Sequence, residues 1–232
     1  MIQEEFDKFA DEYRNHHAKN IRISGENPEY FAEYKIQDLK RLMADKGNNL
    51  IRILDFGCGT GNSIPWLKHH FPKASVVGLD VSKNSLAIAE SRFKDMAAFI
   101  AFDGSIIPYK SNHFDAAIAA CVFHHISPVR HMRMLNEIHR VLNFNGRIMI
   151  HEHNPLNPLT RHAVNNCPFD ENAVLIKSRT LRRLLIDAGF QDVKREYRIF
   201  FPRFLKALRP TERLLRNIPF GAQYFVTGVK SL

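Results

Sequence analysis

Between Ile51 and Gly61 the chain reads Ile-Arg-Ile-Leu-Asp-Phe-Gly-Cys-Gly-Thr-Gly. An apolar run ends on Asp55, and glycines follow at every second position, Gly57, Gly59 and Gly61. Residues 62–71 then carry the pattern of a helix. A strand that passes through glycines into a helix is the layout of a nucleotide-type cofactor site. Glycine supplies the sharp turn and leaves no Cβ between backbone and ligand. The spacing also separates ligand classes. A dinucleotide fingerprint needs G-x-G-x-x-G, which from Gly57 places its third glycine at position 62. Position 62 is Asn, and the glycine stands at 61. Asp55 would repel a pyrophosphate and suits a ligand with a positive group, such as an ammonium.

The rest of the chain alternates strands with helices. Residues 74–80 read as a second strand ending on Asp80, and 98–102 as a third leading to Asp103-Gly104. A fourth, 116–122, runs into Cys121-Val122-Phe123-His124-His125, and a fifth, 147–150, into His151-Glu152-His153. Ser82, Ser127 and Ser178 stand where helix caps are expected, and Pro128 follows its serine at a first-turn position. Residues 191–201 and 222–229 read as the last two strands, separated by a basic, apolar stretch at 204–218. Residues 154–178 show no clear period and hold Pro155, Pro158 and Pro168, so a substrate lid is expected there. Ahead of the first strand, Phe6, Phe9 and Tyr13 fall on one face of a helix, and Pro28 opens a second. The predicted fold is therefore α/β, a doubly wound, mostly parallel sheet with helices on both faces. Its organisation is an N-terminal helical cover at 1–46 and a main domain at 47–232. Ligands bind outside the carboxyl ends of such strands, which places the His-rich tips of strands four and five at the site.

The run Asp55-x-Gly57-x-Gly59-x-Gly61, followed by Asp80 at the second strand end and Asp103-Gly104 after the third, resembles class I S-adenosylmethionine-dependent methyltransferases of the small-molecule type. The specific motifs cover about residues 50–152, and the remainder agrees by layout. The resemblance implies a Rossmann-like seven-stranded sheet whose last strand is antiparallel, and S-adenosylmethionine as cofactor. It implies that Asp55, Gly57, Cys58, Gly59 and Gly61 line the methionine end, and that Asp80 with Val81 holds the ribose. Asp103 and Gly104 would meet the adenine, Cys121 the transferring group, and Tyr13 would close over the methionine end. Asp115 is read as a structural residue at the start of strand four.

Methyl transfer from a sulfonium is a displacement in which the protein chiefly positions its partners away from bulk water. A hydroxyl acceptor also needs a base, and histidine suits neutral pH. His124, His125 and His153 are the candidates, with Glu152 behind them. A metal-ligand role for these groups has little room in that frame, and no metal is expected. The Asn/Asp-Pro-Pro-Tyr/Phe signature of amino-group methylation is absent at 121–126, which points to oxygen or carbon acceptors.

Composition bounds the partners. Apolar content of 45% and charged content of 25% in 232 residues are ordinary for a soluble globular chain. No apolar run is long enough to span a bilayer, no signal peptide opens the chain, and the expected compartment is the cytosol. The 3 cysteines are widely separated, against a disulfide framework or a zinc site. A net charge of +9 and a pI near 9.6 suggest a polyanionic partner or an anionic membrane surface. The excess is concentrated from Lys177 onward. The first expectation is a small or lipid-linked acceptor of sugar, polyketide or isoprenoid type, with 204–218 resting peripherally on a membrane. An RNA methyltransferase is the alternative that the charge supports, and a non-catalytic regulatory protein that binds the cofactor is the third.

Overall fold

A computed structural model describes residues 24–44 and 51–231. Seven strands form one sheet: β1 (Arg52–Phe56), β2 (Ser75–Asp80), β3 (Ala98–Ala101), β4 (Phe114–Ala120), β5 (Leu142–His153), β6 (Phe190–Arg198) and β7 (Gln223–Lys230). Their spatial order is β3-β2-β1-β4-β5-β7-β6. The first five are parallel, and β7 inserts antiparallel between β5 and β6. The expected seven-stranded Rossmann-like sheet is thus what the chain forms. Strand order reverses between β1 and β4, and a crevice opens at their carboxyl ends.

Helices cover both faces. Helix α1 (Pro28–Leu42) begins where Asn27 Oδ1 accepts from the Tyr30 N–H at 2.9 Å, with Pro28 in its first turn. Its Ile36 and Leu39, with Met43 beyond it, pack with Ile64 and Leu67 of α2 (Ile64–His70) against Ile53, Ile118, Met149 and Phe225. Helix α3 (Lys83–Phe93) is capped by Ser82, whose Oγ accepts from Ser85 N–H at 3.1 Å. On the other face, α4 (His131–Val141) and α6 (Ser178–Asp187) pack on Leu54, Phe56, Ala117, Ala119, Ile148 and Ile150. Side chains alternate along a strand. On β5, Glu152 therefore continues the α4/α6 side, and His151 and His153 the α1/α2 side.

Several local expectations are corrected. Strand β4 ends at Ala120 instead of Val122, because Cys121 turns out of the sheet at φ +60°. Strand β5 starts at Leu142, earlier than residue 147. Ser127 caps no N–H, and a short 3-10 turn at Pro128–Arg130 precedes α4. Ser178 is inside α6, and its hydroxyl bonds the Tyr197 hydroxyl at 2.6 Å. The segment after β5 contains helix α5 (Pro158–Asn165), capped by Asn157 Oδ1 on Thr160 N–H at 3.0 Å, and a 3-10 turn at Pro168–Asp170. Within the basic, apolar stretch, a 3-10 run Arg203–Thr211 containing Pro210 leads to the single turn α7 (Glu212–Leu215). Phe6, Phe9 and Tyr13 lie outside the described residues.

Candidate active site

The three glycines of the turn after β1 serve three physical needs. All have positive φ, +72°, +52° and +79°. A Cβ on Gly57 would sit 2.5 Å from Val122 Cγ1, so this residue brings the turn against the tip of β4. A Cβ on Gly61 would sit 2.9 Å from the Phe93 ring, so it lets α3 approach. Nothing lies within 4 Å of a Cβ on Gly59, which faces open space. Cys58 turns inward; Gly78 on β2 has no Cβ, and the Cys58 sulfur fills that gap. Burial holds the Cys58 thiol well above its ordinary pKa, so Cys58 offers the cleft backbone rather than a nucleophile.

Two carboxylates frame this turn. Asp55, 1% exposed, accepts a hydrogen bond from the Ser63 hydroxyl. Burial raises its pKa to about 6, against the opposing Ser63 hydrogen bond. Asp80 accepts from Gly59 N–H at 2.8 Å and from Ser82 N–H at 2.9 Å, which ties the tip of β2 to the glycine turn. Val81 is buried beside Gly104. Asp103 is exposed and organises its own turn, accepting from Ser105 N–H at 2.8 Å and Ile106 N–H at 3.1 Å. These bonds, led by that from the Ser105 hydroxyl, hold it down to about 2. Asp115 ties strands together, accepting from Arg52 N–H at 2.8 Å and Asn143 Nδ2 at 2.6 Å.

Across the crevice, the tips of β4 and β5 form an ionisable rim. Glu152, fully buried, accepts from Val122 N–H at 3.2 Å and Phe123 N–H at 2.8 Å through one oxygen. Its other oxygen lies 2.5 Å from His124 Nδ1. Burial alone would lower the His124 pKa, but Glu152 and Asp170 outweigh it and raise it to about 10. Burial and the neighbouring His124 charge depress His125 to about 3. The His124 and His125 rings lie 4.1 Å apart, and the His153 ring 5.2 Å from that of His124. His131 supports the turn from beneath, its Nε2 donating to Phe123 O at 3.0 Å and Ile126 O at 2.8 Å.

Cys121 sits between the two ends. Lys35 Nζ of α1 donates to its sulfur at 3.4 Å, and His153 bonds it as well. Burial would raise this thiol, but Lys35 and His153 prevail and bring it down to about 7. The structure therefore gathers His124, His125, His153 and Cys121 at one rim and Asp55, Gly57, Gly59 and Asp80 at the other. Asp103 lies apart, beyond β3. Two participants went unread in the sequence. Lys35 lies in the middle of a mixed polar and apolar helix, and Asp170 in a segment without period, far along the chain from His125. Neither has a local signal.

A seven-stranded sheet of this order with a glycine-turn cleft beside an acidic β2 tip defines the Rossmann-like fold of class I S-adenosylmethionine-dependent methyltransferases. Residues 53–146 match the family model described as Methyltransferase domain. A demethylmenaquinone methyltransferase of Thermotoga maritima is 40% identical over 106 residues, 46% of this chain and 45% of that protein. A malonyl acyl-carrier-protein O-methyltransferase of Legionella pneumophila is 33% identical over 100 residues, 42% of this chain and 34% of that protein. The chain thus spans less than half the length of these curated relatives. Among solved structures, a Thermotoga maritima protein described as an S-adenosylmethionine-dependent methyltransferase, possible histamine N-methyltransferase, superposes with a TM-score of 0.72 at 21% identity over 100% of both chains.

Proposed function

We propose that the protein transfers a methyl group from S-adenosylmethionine to an oxygen or carbon of a small or lipid-linked molecule. The observation that carries this reading is the open face of Gly59 between two buried carboxylates, Asp55 and Asp80. There the methionine ammonium would meet Asp55, and the ribose hydroxyls would donate to the Asp80 carboxylate. The adenine edge would reach the turn of Asp103 and Gly104. In this arrangement the methyl group points toward Cys121 and the His rim. His153 is the base we favour, because it stands at the tip of β5 in contact with Cys121; burial would lower its pKa, and that sulfur raises it. His124 is held between two carboxylates and serves the rim's geometry.

The lipid-linked reading has its own support. Phe204 is 81% exposed, Leu214 76% and Phe220 68%, and Leu156 and Leu159 are exposed as well; Asn157 Nδ2 donates to Phe220 O at 2.8 Å. The segment that bears them is anchored from within. Buried Glu212 accepts from Phe200 N–H at 3.0 Å and Phe201 N–H at 3.1 Å, and Arg209 pairs with Glu26 at 2.7 Å. An anchored apolar edge with Lys206 and Arg213 around it suits an anionic interface. Among the described residues no helix is long and apolar enough to cross a membrane.

The test is to add methyl-labelled S-adenosylmethionine with the protein to a lysate and to count label in lipid, small-molecule, RNA and protein fractions. Label in the lipid or small-molecule fraction, abolished by Asp80→Ala and by His153→Ala, is the expected result. His153→Ala should retain cofactor binding by calorimetry, and Asp80→Ala should lose it. Label in RNA would replace this reading with the basic-face alternative.

A further inference from the structure

We propose that His124, His125 and Asp170 form a binding site for a divalent first-row transition ion of the zinc type, with Glu152 orienting His124. The two imidazoles and the carboxylate offer donor atoms that all lie within 4.8 Å of one another. One oxygen, Asp170 Oδ1, stands 3.4 Å from His124 Nε2 and 3.4 Å from His125 Nε2. That separation is long for a charge-assisted hydrogen bond, which closes to about 2.7–2.9 Å. It is the separation of two ligands on one tetrahedral ion: bonds of about 2.0–2.1 Å give ligand–ligand edges of about 3.3–3.4 Å.

The surroundings fit the same chemistry. A metal-bound imidazole characteristically donates its far ring nitrogen to a carboxylate, which fixes tautomer and orientation. His124 does so, with Glu152 2.5 Å from Nδ1 and Asp170 on the opposite side. Glu152 is itself fixed by the Val122 and Phe123 N–H groups, and His131 braces the same turn, so the histidines are presented by a rigid backbone. Asp170 arrives on the Pro168–Asp170 turn, which is docked to the rim where Val174 N–H donates to His124 O at 2.8 Å. His125 and Asp170 are partly exposed, which gives an ion a path in. Two imidazoles and a carboxylate suit zinc, cobalt(II) and iron(II) over magnesium or calcium, which prefer all-oxygen shells. Three protein ligands leave a position for water or a substrate oxygen, the plan of catalytic rather than structural zinc sites.

The site does not depend on methyl transfer, and its test reads binding alone. Chelator-treated protein is titrated with zinc chloride by calorimetry, and the cobalt(II) form is followed by visible absorption. The expected result is one zinc per chain at micromolar affinity or tighter, and tetrahedral cobalt bands. Asp170→Asn and His125→Ala should each weaken zinc binding by tenfold or more, and Glu152→Gln by a comparable factor. Asp170→Asn is nearly isosteric and on a partly exposed turn; its metal-free melting temperature checks that the fold is kept. Absence of stoichiometric binding would overturn the proposal. So would zinc bound equally well by wild type and by both ligand variants, since the ion would then reside on other surface histidines such as His69 and His70.

Discussion

At the tips of β1 and β2 the cleft is walled by backbone: three glycines with positive φ, two of them closed against Val122 and Phe93. At the tips of β4 and β5 it is walled by ionisable side chains, with Glu152, His124, Asp170 and His125 in a chain of contacts. The first wall tolerates no added volume at Gly57 or Gly61 and titrates little, apart from Asp55. The second can lose a side-chain atom with little steric consequence, yet each charge there depends on its neighbour. The comparison teaches that one end of the cleft is specified by shape and the other by charge compensation. A cofactor whose chemistry is fixed can be recognised by a rigid shape. A rim that handles acceptors needs groups that bind, orient or exchange protons.

Four perturbations bear on that contrast. The largest effect belongs to Glu152→Ala, which leaves the His124 charge with Asp170 alone and strips the Val122 and Phe123 N–H groups of their acceptor. Breaking a buried pair of this kind costs about 3–5 kcal/mol. Chemical denaturation measures it, and a loss below about 1 kcal/mol would mean that the charge network is not what holds this rim. Next comes Gly57→Ala. Its new Cβ would overlap Val122 and its φ is unfavourable for an L side chain, together about 3 kcal/mol. A neutral Gly57→Ala would break the claim that shape specifies the first wall.

The third perturbation is pH. Above about pH 6 Asp55 is ionised and attracts an ammonium; below it the group is neutral, because burial has raised its pKa from the ordinary carboxylate range. Affinity for S-adenosylmethionine should therefore fall by about tenfold from pH 7 to pH 5, and Asp55→Asn should remove that dependence. A pH-independent wild type would sever Asp55 from the ligand's charge. The smallest effect on folding is expected for Gly59→Ala, about 1 kcal/mol from backbone conformation alone, since its Cβ meets nothing. The same substitution should depress cofactor affinity out of proportion, because the methyl group enters the open face. Equal losses of stability at Gly57 and Gly59 would erase the distinction between the two glycines.

The parts of the molecule that the sequence makes legible are those written contiguously. The glycine turn, the acid at the end of β2 and the alternation of strand and helix each occupy a few neighbouring residues, and backbone sterics and periodicity convert them directly into structure. Helix starts were legible where a side chain found the nearby N–H, as at Asn27 and Ser82. They were misread where another partner competed. Ser178 is drawn to Tyr197 across the fold, and nothing in its own neighbourhood announces that. Helix α5 was hidden by Pro155, Pro158 and Pro168, which read as breakers although Pro158 occupies a first turn.

Sequence by itself thus determined the order of elements and the glycine end of the cleft, because each rests on local conformational preference; the antiparallel last strand followed only from the family resemblance. Tertiary structure alone decided the other end. Lys35, Cys121, His124, Glu152 and Asp170 come from four separate stretches of chain, and the ionisation of Cys121, His124, Glu152 and Asp170 is set by burial and by their neighbours. Distance and desolvation, which exist only once the chain has closed, turn two adjacent histidines of identical chemistry into one charged ring and one neutral ring.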